Sequence, residues 1–375
     1  MRFPKSILAV FLLAAIAMFA LTGAEDSNEI WPTNGWSRAT PSEMGMDSSK
    51  LQQARNYALS GGGSGLVVRN GRIVMSWGDS TRRYDLKSTG KSIGVTGLGL
   101  AIKDGKIGLS DKAGKHHLRF GVDLHGNVGA GWLDDITILH LATMTAGFAK
   151  SGGYAKLLFA PGTKWAYSDS GPNWLAECIT LAYQQDLHRL MSERVYKPLG
   201  IKSSDLIQRT HDKRPNKING IKRREFGGIS ANVDAMARIG YLYLRGGKWD
   251  GLQIIPLSFV DAVRQKVPEV VGLPVSNDYY RRFAKASNHY GLLWWNNTDR
   301  TLANVPSDAY WAWGMYDSLI IVIPSVDIVV ARAGSAWAGS RNPNYYKILK
   351  PFLEPIVASV RGRPAPMVNK ATRGQ

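Results

Sequence analysis

Apolar positions along the chain alternate between two periods, and the changes of period mark its elements. In "SEMGMDSSKLQQARNYALSGGGSG" Leu51, Ala54 and Ala58 recur at helical spacing behind a capping Asp47 or Ser48, and a glycine run ends the pattern. "GLVVRNGRIVMSWG" sets two β-rich runs around Arg69-Asn70-Gly71, where Asn-Gly supplies the positive φ angles of a tight hairpin turn. From Ser88, the positions of Ile93, Leu98, Ala101 and Ile102 predict a helix into the core, closed by "KDGK". Residues 111–224 read as helices and loops with sparse strand signals. The β pattern returns at "FGGISAN", yields to a helix in "VDAMARIGYLYLRGG", and resumes in "AYWAWGMYDSLIIVIPSVDIVVARAG". There two runs flank Gly314-Met315-Tyr316-Asp317 and a third covers Asp327 to Ala333. A closing helix is expected from Tyr345 to Val360.

Consecutive hairpins imply a largely antiparallel sheet, and the helical stretch lies between its strands, so the pattern predicts an α+β domain with a mostly helical insertion over 111–224. Ahead of it, Arg2 and Lys5 precede an apolar run from Ile7 to Leu21, with Thr22 and Ala24 in small-residue cleavage positions. That is the layout of a secretory signal peptide over residues 1–24, leaving 25–375 as one exported domain, periplasmic or extracellular. The run falls short of the ~20 residues of a spanning helix.

Composition narrows this only slightly. Hydrophobic residues make up 44% and charged residues 20% of 375, which excludes a disordered chain. One cysteine, Cys178, cannot form an internal disulfide and is expected to be a buried small hydrophobe. The formal net charge of +18 favours polyanions. For an exported protein these are anionic cell-envelope polymers, with no nucleic acid expected. The basic residues are dispersed, with clusters at 222–225 and in the tail, and read first as solvated surface.

The chemistry concentrates in "LKSTGKS", residues 86–92. Gly90-Lys91-Ser92 has the ending of a phosphate loop, but Asp85 occupies the place of its first glycine and the approach "GDSTRRYDLK" is no hydrophobic strand. The informative spacing is Ser88 to Lys91: residues three apart share a helix face, so the lysine reaches the hydroxyl and can activate it as a nucleophile. Downstream, "PGTKWAYSDSGPNWLA" sets Tyr167-Ser168-Asp169 ahead of an apolar helix.

With these two elements, "DITILHLATMTAGF", "YKPLGI" and the final hairpin, the chain resembles the penicillin-recognising serine hydrolases: class C β-lactamases, DD-peptidases, β-lactamase-fold esterases and 6-aminohexanoate-dimer hydrolases. The resemblance implies the β-lactamase/transpeptidase-like fold, with Ser88 as acylated nucleophile, Lys91 as its proton acceptor or electrostatic partner, and Tyr167 as the proton shuttle. Ser168 is the alternative shuttle if "SDS" corresponds to the Ser-Asp-Asn element instead. No cofactor is implied, and the seven histidines are scattered without metal-ligand spacing.

Two departures bear on substrate. Asp169 replaces the usual asparagine, and an anion beside Lys91 favours its ammonium form. The Lys/His-Thr-Gly strand is replaced by "AYWAW" (309–313), so the cation that holds a substrate carboxylate is missing there. Ala312 or Trp313 is expected to give the second oxyanion N–H beside that of Ser88, and Trp311 and Trp313, with Trp294 or Trp295, an apolar pocket. The substrate expected is a small ester or compact amide. The alternatives are a D-amino-acid peptidase or weak β-lactamase, and a non-catalytic envelope binding or sensor module. Asp234 and Arg238 read as a structural ion pair.

Overall fold

The computed structural model describes residues 29–122, 126–276, 283–337 and 346–361. The proposed signal peptide, Tyr345 at the start of the closing helix and the basic tail beyond Arg361 lie outside them. The elements that position the site begin with β1 (Ser37–Arg38), α1 (Ser48–Leu59) and the hairpin β2 (Ser64–Arg69) and β3 (Arg72–Trp77). Asp47 caps α1 by accepting from Ser49 and Lys50 N–H, and the hairpin turns through Asn70 and Gly71 at φ 48° and 73°. There follow β4 (Tyr84–Asp85), α2 (Thr89–Gly94), α3 (Thr96–Lys103), α4 (Ile138–Ala142) and α5 (Ser170–Tyr183). Then come β5 (Leu206–Thr210), β6 (Arg224–Ala231), α6 (Val233–Leu244), α7 (Leu257–Arg264), β7 (Trp295–Asn296), β8 (Tyr310–Gly314), β9 (Ser318–Ile323), β10 (Ile328–Ala333) and α8 (Tyr346–Ala358).

A seven-stranded sheet runs in the order β1-β3-β2-β10-β9-β8-β7, antiparallel except for the two-residue β1, which pairs parallel with β3. One face carries α1 and α8: Trp77 and Trp337 both meet Phe352 of α8, and Tyr57 of α1 meets Trp337. The other carries α6, whose Gly240 allows contact so close that a Cβ there would stand 2.7 Å from Val329 and 2.8 Å from Ile320. Both faces are dry, which is why β9 and β10 are buried at every position.

The middle of the chain holds α4 and α5 as expected, but it also holds a strand that its pattern conceals. β5 is paired antiparallel with β6 in a second sheet, β4-β6-β5. Its inward positions are Leu206 and Gln208, and the buried glutamine, which donates to the Glu225 carbonyl, hides the alternation. Cys178 is fully buried in α5. No helix among the described residues is long and apolar enough to cross a membrane.

Candidate active site

Ser88 sits at the entry of α2, in a turn held by unusual backbone. Lys87 takes a positive φ of 52°, and its ammonium pairs at 2.6 Å with Asp85, the residue that denies the phosphate-loop pattern. Every residue of α2 is buried. Gly90 and Gly94 let the helix lie against β6: a Cβ on Gly90 would stand 2.4 Å from the Phe226 carbonyl oxygen, and one on Gly94 2.5 Å from the Phe226 ring. Thr89 donates to the Ser318 carbonyl at 2.7 Å, which fixes the helix to β9 of the main sheet, and Ser92 to that of Leu293, in the segment leading into β7, at 2.6 Å. The residues around the Ser88-Lys91 pair are thus mounting hardware for two sheets at once.

One turn into α2, Lys91 is buried with its Nζ 2.9 Å from Ser88 Oγ and 3.3 Å from Tyr167 Oη. It also stands 2.6 Å from Asp169 Oδ1 and 5.0 Å from the centre of the Tyr167 ring. Burial acts to lower the lysine pKa, but the Asp169 carboxylate and then Tyr167 outweigh it and hold the pKa above the ordinary lysine value. Asp169 is the mirror case. Burial acts to raise its pKa, while Lys91 and Lys150 hold it down to about 2. Lys91 is therefore an ammonium at neutral pH, paired with a carboxylate.

Tyr167 faces Lys91 with its ring stacked on Phe283, centroids 5.2 Å apart. Ser168 is occupied elsewhere: its hydroxyl donates to the Ala149 carbonyl at 2.9 Å and accepts from Ser170 and Gly171 N–H at 3.1 and 3.3 Å, which anchors the start of α5. Of the two candidate shuttles, the tyrosine is the one in contact with Lys91.

The edge strand corrects two expectations. Asn297 N–H donates to the Ala309 carbonyl at 2.8 Å, so Ala309, Trp311 and Trp313 direct their main-chain groups toward β7. The even positions turn theirs toward β9, where Ala312 pairs with Ile320. The Ala312 N–H belongs to the ladder and is not an oxyanion donor. The pairing with β7 ends at Trp311, and the main-chain groups of Trp313, and of Met315 by continued alternation, face the side of β8 away from β9. Side chains alternate as well. Gly314 faces the nucleophile turn, a Cβ there standing 2.2 Å from the Leu86 carbonyl oxygen and 2.8 Å from Thr89 N. Trp311 and Trp313 therefore point to the opposite face, where Trp313 meets Tyr346 of α8 at 6.3 Å and donates to Asp317. They do not line the site.

Trp294 is also core, wedged between Tyr243 and Tyr310 with its indole donating to the Ser92 carbonyl at 3.1 Å. Trp295 is buried and stands behind Phe283 and Trp165, which are the rings that meet Tyr167. The residue that sequence reading missed is Lys150, whose Nζ pairs with Asp169 Oδ2 and lies 5.4 Å from the Tyr167 ring centre. No motif spacing points to it, since it comes from a loop 19 residues before its partner.

A cleft of about 800 Å³ between Thr33, Tyr196, Lys202 and Asn232 includes none of these residues. Among the described residues, His211, Asp212 and Glu225 bring ligand atoms within 4.8 Å of one another. Asn173 and Lys213 N–H face the His211 nitrogens, and Arg209 holds Glu225, so a cation there meets a guanidinium and occupied ligands.

A serine at a helix entry, a lysine one turn on and a tyrosine closing the triangle come together as the family resemblance implied. The family model described as Beta-lactamase matches residues 53–349. The chain belongs to the β-lactamase family. A penicillin-binding protein homolog from Caulobacter crescentus is 14% identical with a TM-score of 0.62, covering 84% of this chain and 99% of that one. The unliganded simvastatin synthase of Aspergillus terreus is 14% identical with a TM-score of 0.63, covering 83% and 99%. An uncharacterized protein of Alkalihalophilus pseudofirmus is 21% identical over 324 residues, 79% of this chain and 90% of its own. At such identities the structural likeness shows the shared β-lactamase/transpeptidase-like fold.

Proposed function

We propose that this β-lactamase-family protein is an exported serine hydrolase that cleaves small esters or compact amides through an acyl-enzyme on Ser88. The observation that carries the reading is the position of the Lys91 ammonium, 2.9 Å from Ser88 Oγ and 3.3 Å from Tyr167 Oη. Ser88 Oγ attacks the carbonyl carbon while Tyr167 relays its proton to the leaving oxygen or nitrogen, whose bond to the acyl carbon breaks. Lys91 stays protonated throughout and stabilises negative charge on whichever oxygen has given up its proton. Main-chain N–H groups of Ser88 and of the side of β8 away from β9, Trp313 or Met315, hold the oxyanion. Water then attacks the acyl carbon, Tyr167 relays the water's proton to Ser88 Oγ as the acyl–Oγ bond breaks, and the carboxylic acid product leaves.

Ester or compact amide substrates are favoured over β-lactams because Ala312 and its neighbours supply no cation on β8. The expected result is that wild type turns over short p-nitrophenyl esters and labels weakly with penicillin. Tyr167→Phe is expected to lower turnover by roughly 10²–10⁴-fold, the usual worth of a general acid-base, with an unchanged circular dichroism spectrum. Near-wild-type turnover in that variant would remove Tyr167 from the mechanism. Strong penicillin labelling with no ester turnover would favour the D-amino-acid peptidase reading, and no turnover or labelling by any of them the non-catalytic one.

A further inference from the structure

The corner beyond Tyr167 carries more positive than negative charge. Lys91 and Lys150 share a single carboxylate, that of Asp169. Lys213 brings a third ammonium to the same place: a Cβ on Gly152 would stand 3.6 Å from Asp169 Cβ and 3.7 Å from Lys213 Nζ. Among the described residues no carboxylate lies within ion-pairing distance of Lys213. Glu225, the buried acid near it, is taken by Arg209. Lys213 is exposed and the Lys150 side chain is 40% exposed, so a ligand can reach both.

The backbone under these lysines is tied to α5. The Gly152 carbonyl accepts from Asn173 Nδ2 at 2.8 Å, and that of Gly153 from Arg214 Nη2 at 3.0 Å. Arg214 is itself buried and paired at 2.6 Å with Glu177 of α5. The corner is thus a built wall beside Asp169 and Tyr167, and β8, whose sequence is YWAWG, supplies no cation of its own. A fixed surplus of positive charge in a cleft favours an anion there.

We propose that Lys150 and Lys213 form an anion subsite, and that the leaving group of the natural substrate carries a carboxylate which they hold. The inference rests on the serine hydrolase reading, because it is Tyr167, as proton donor to the leaving group, that places that group beside this corner. A lysine ammonium recognises charge with loose angular demands, so a leaving group of variable length fits.

The test compares 4-acetoxybenzoate with its neutral methyl ester, methyl 4-acetoxybenzoate. The neutral compound has the better leaving group, so intrinsic reactivity opposes the expected result. Wild type is expected to favour the carboxylate about five- to tenfold in kcat/KM, the worth of one or two half-exposed ion pairs. That ratio is expected to fall toward one in Lys213→Ala with Lys150→Gln, to persist in Lys213→Arg, and to shrink when salt is raised from about 50 to about 500 mM. A wild-type ratio of one or below overturns the subsite and leaves the hydrolase reading intact. So does a preference that survives the double variant. Failure of wild type to hydrolyse either ester or to react at Ser88 with a fluorophosphonate would overturn both.

Discussion

Lys91 shows how a single neighbour decides the role of a buried amine. Placed alone in this dry position, it would lose its proton readily and serve as a base. Asp169, 2.6 Å away, reverses that and keeps it charged. Replacing Asp169 with Asn removes the anion while keeping the shape, so burial then governs Lys91. The pH profile of kcat/KM is expected to gain a new ionisation in Asp169→Asn, with activity falling as pH increases through it because the ammonium that the mechanism uses is lost; wild type should show no lysine ionisation below its ordinary value. An identical profile in both would contradict a charged Lys91. The pair also sets a stability window. The folded-state pKa of Asp169, about 2, lies below its ordinary 3.8, so its contribution is fully present above 3.8 and is lost as pH falls through about 2. The gap in thermal stability between wild type and Asp169→Asn should therefore narrow between about pH 5 and pH 2.

The elements that matter most are those that meet at Ser88: α2, β6 and the end of β8. Gly314 is where the strand touches the nucleophile turn, and an added methyl would stand 2.2 Å from a backbone oxygen that no rotamer can move. Gly314→Ala is expected to separate β8 from Ser88 at a cost of about 1–3 kcal/mol in stability, with fluorophosphonate labelling slowed by a larger factor than stability alone explains. Unchanged labelling would mean that the β8 edge takes no part in the oxyanion site. Much at this scale was legible. The Asn70-Gly71 hairpin, the capped helix after Asp47 and the Ser88–Lys91 spacing all follow from local chemistry that a sequence displays directly. Trp311 and Trp313 were misread because strand alternation assigns faces only once one position is fixed, and the fixed position, Gly314 against Leu86 and Thr89, is a tertiary contact. Lys150 was invisible because its partner, Asp169, is set beside it by the loop between them and not by a period.

At the scale of the whole molecule, the +18 net charge overstates the free basic surface. In the cluster at 222–225, Arg223 and Arg224 turn inward, to Glu177 and Asp186, and nearby Arg214 is buried with Glu177. Any contact with anionic envelope polymers is left to lysines such as Lys217 and Lys222, and export is proposed from residues 1–24. Protein recovered outside the cytoplasm is expected to begin after Ala24 on N-terminal sequencing; an intact Met1 there would contradict cleavage. The central claim, acyl transfer at Ser88, is tested most directly by mass spectrometry of the intact protein after reaction with a fluorophosphonate, followed by peptide mapping. The account predicts one adduct per chain, located on Ser88 and absent from Ser88→Ala. No adduct, or one located on a different residue, would contradict it.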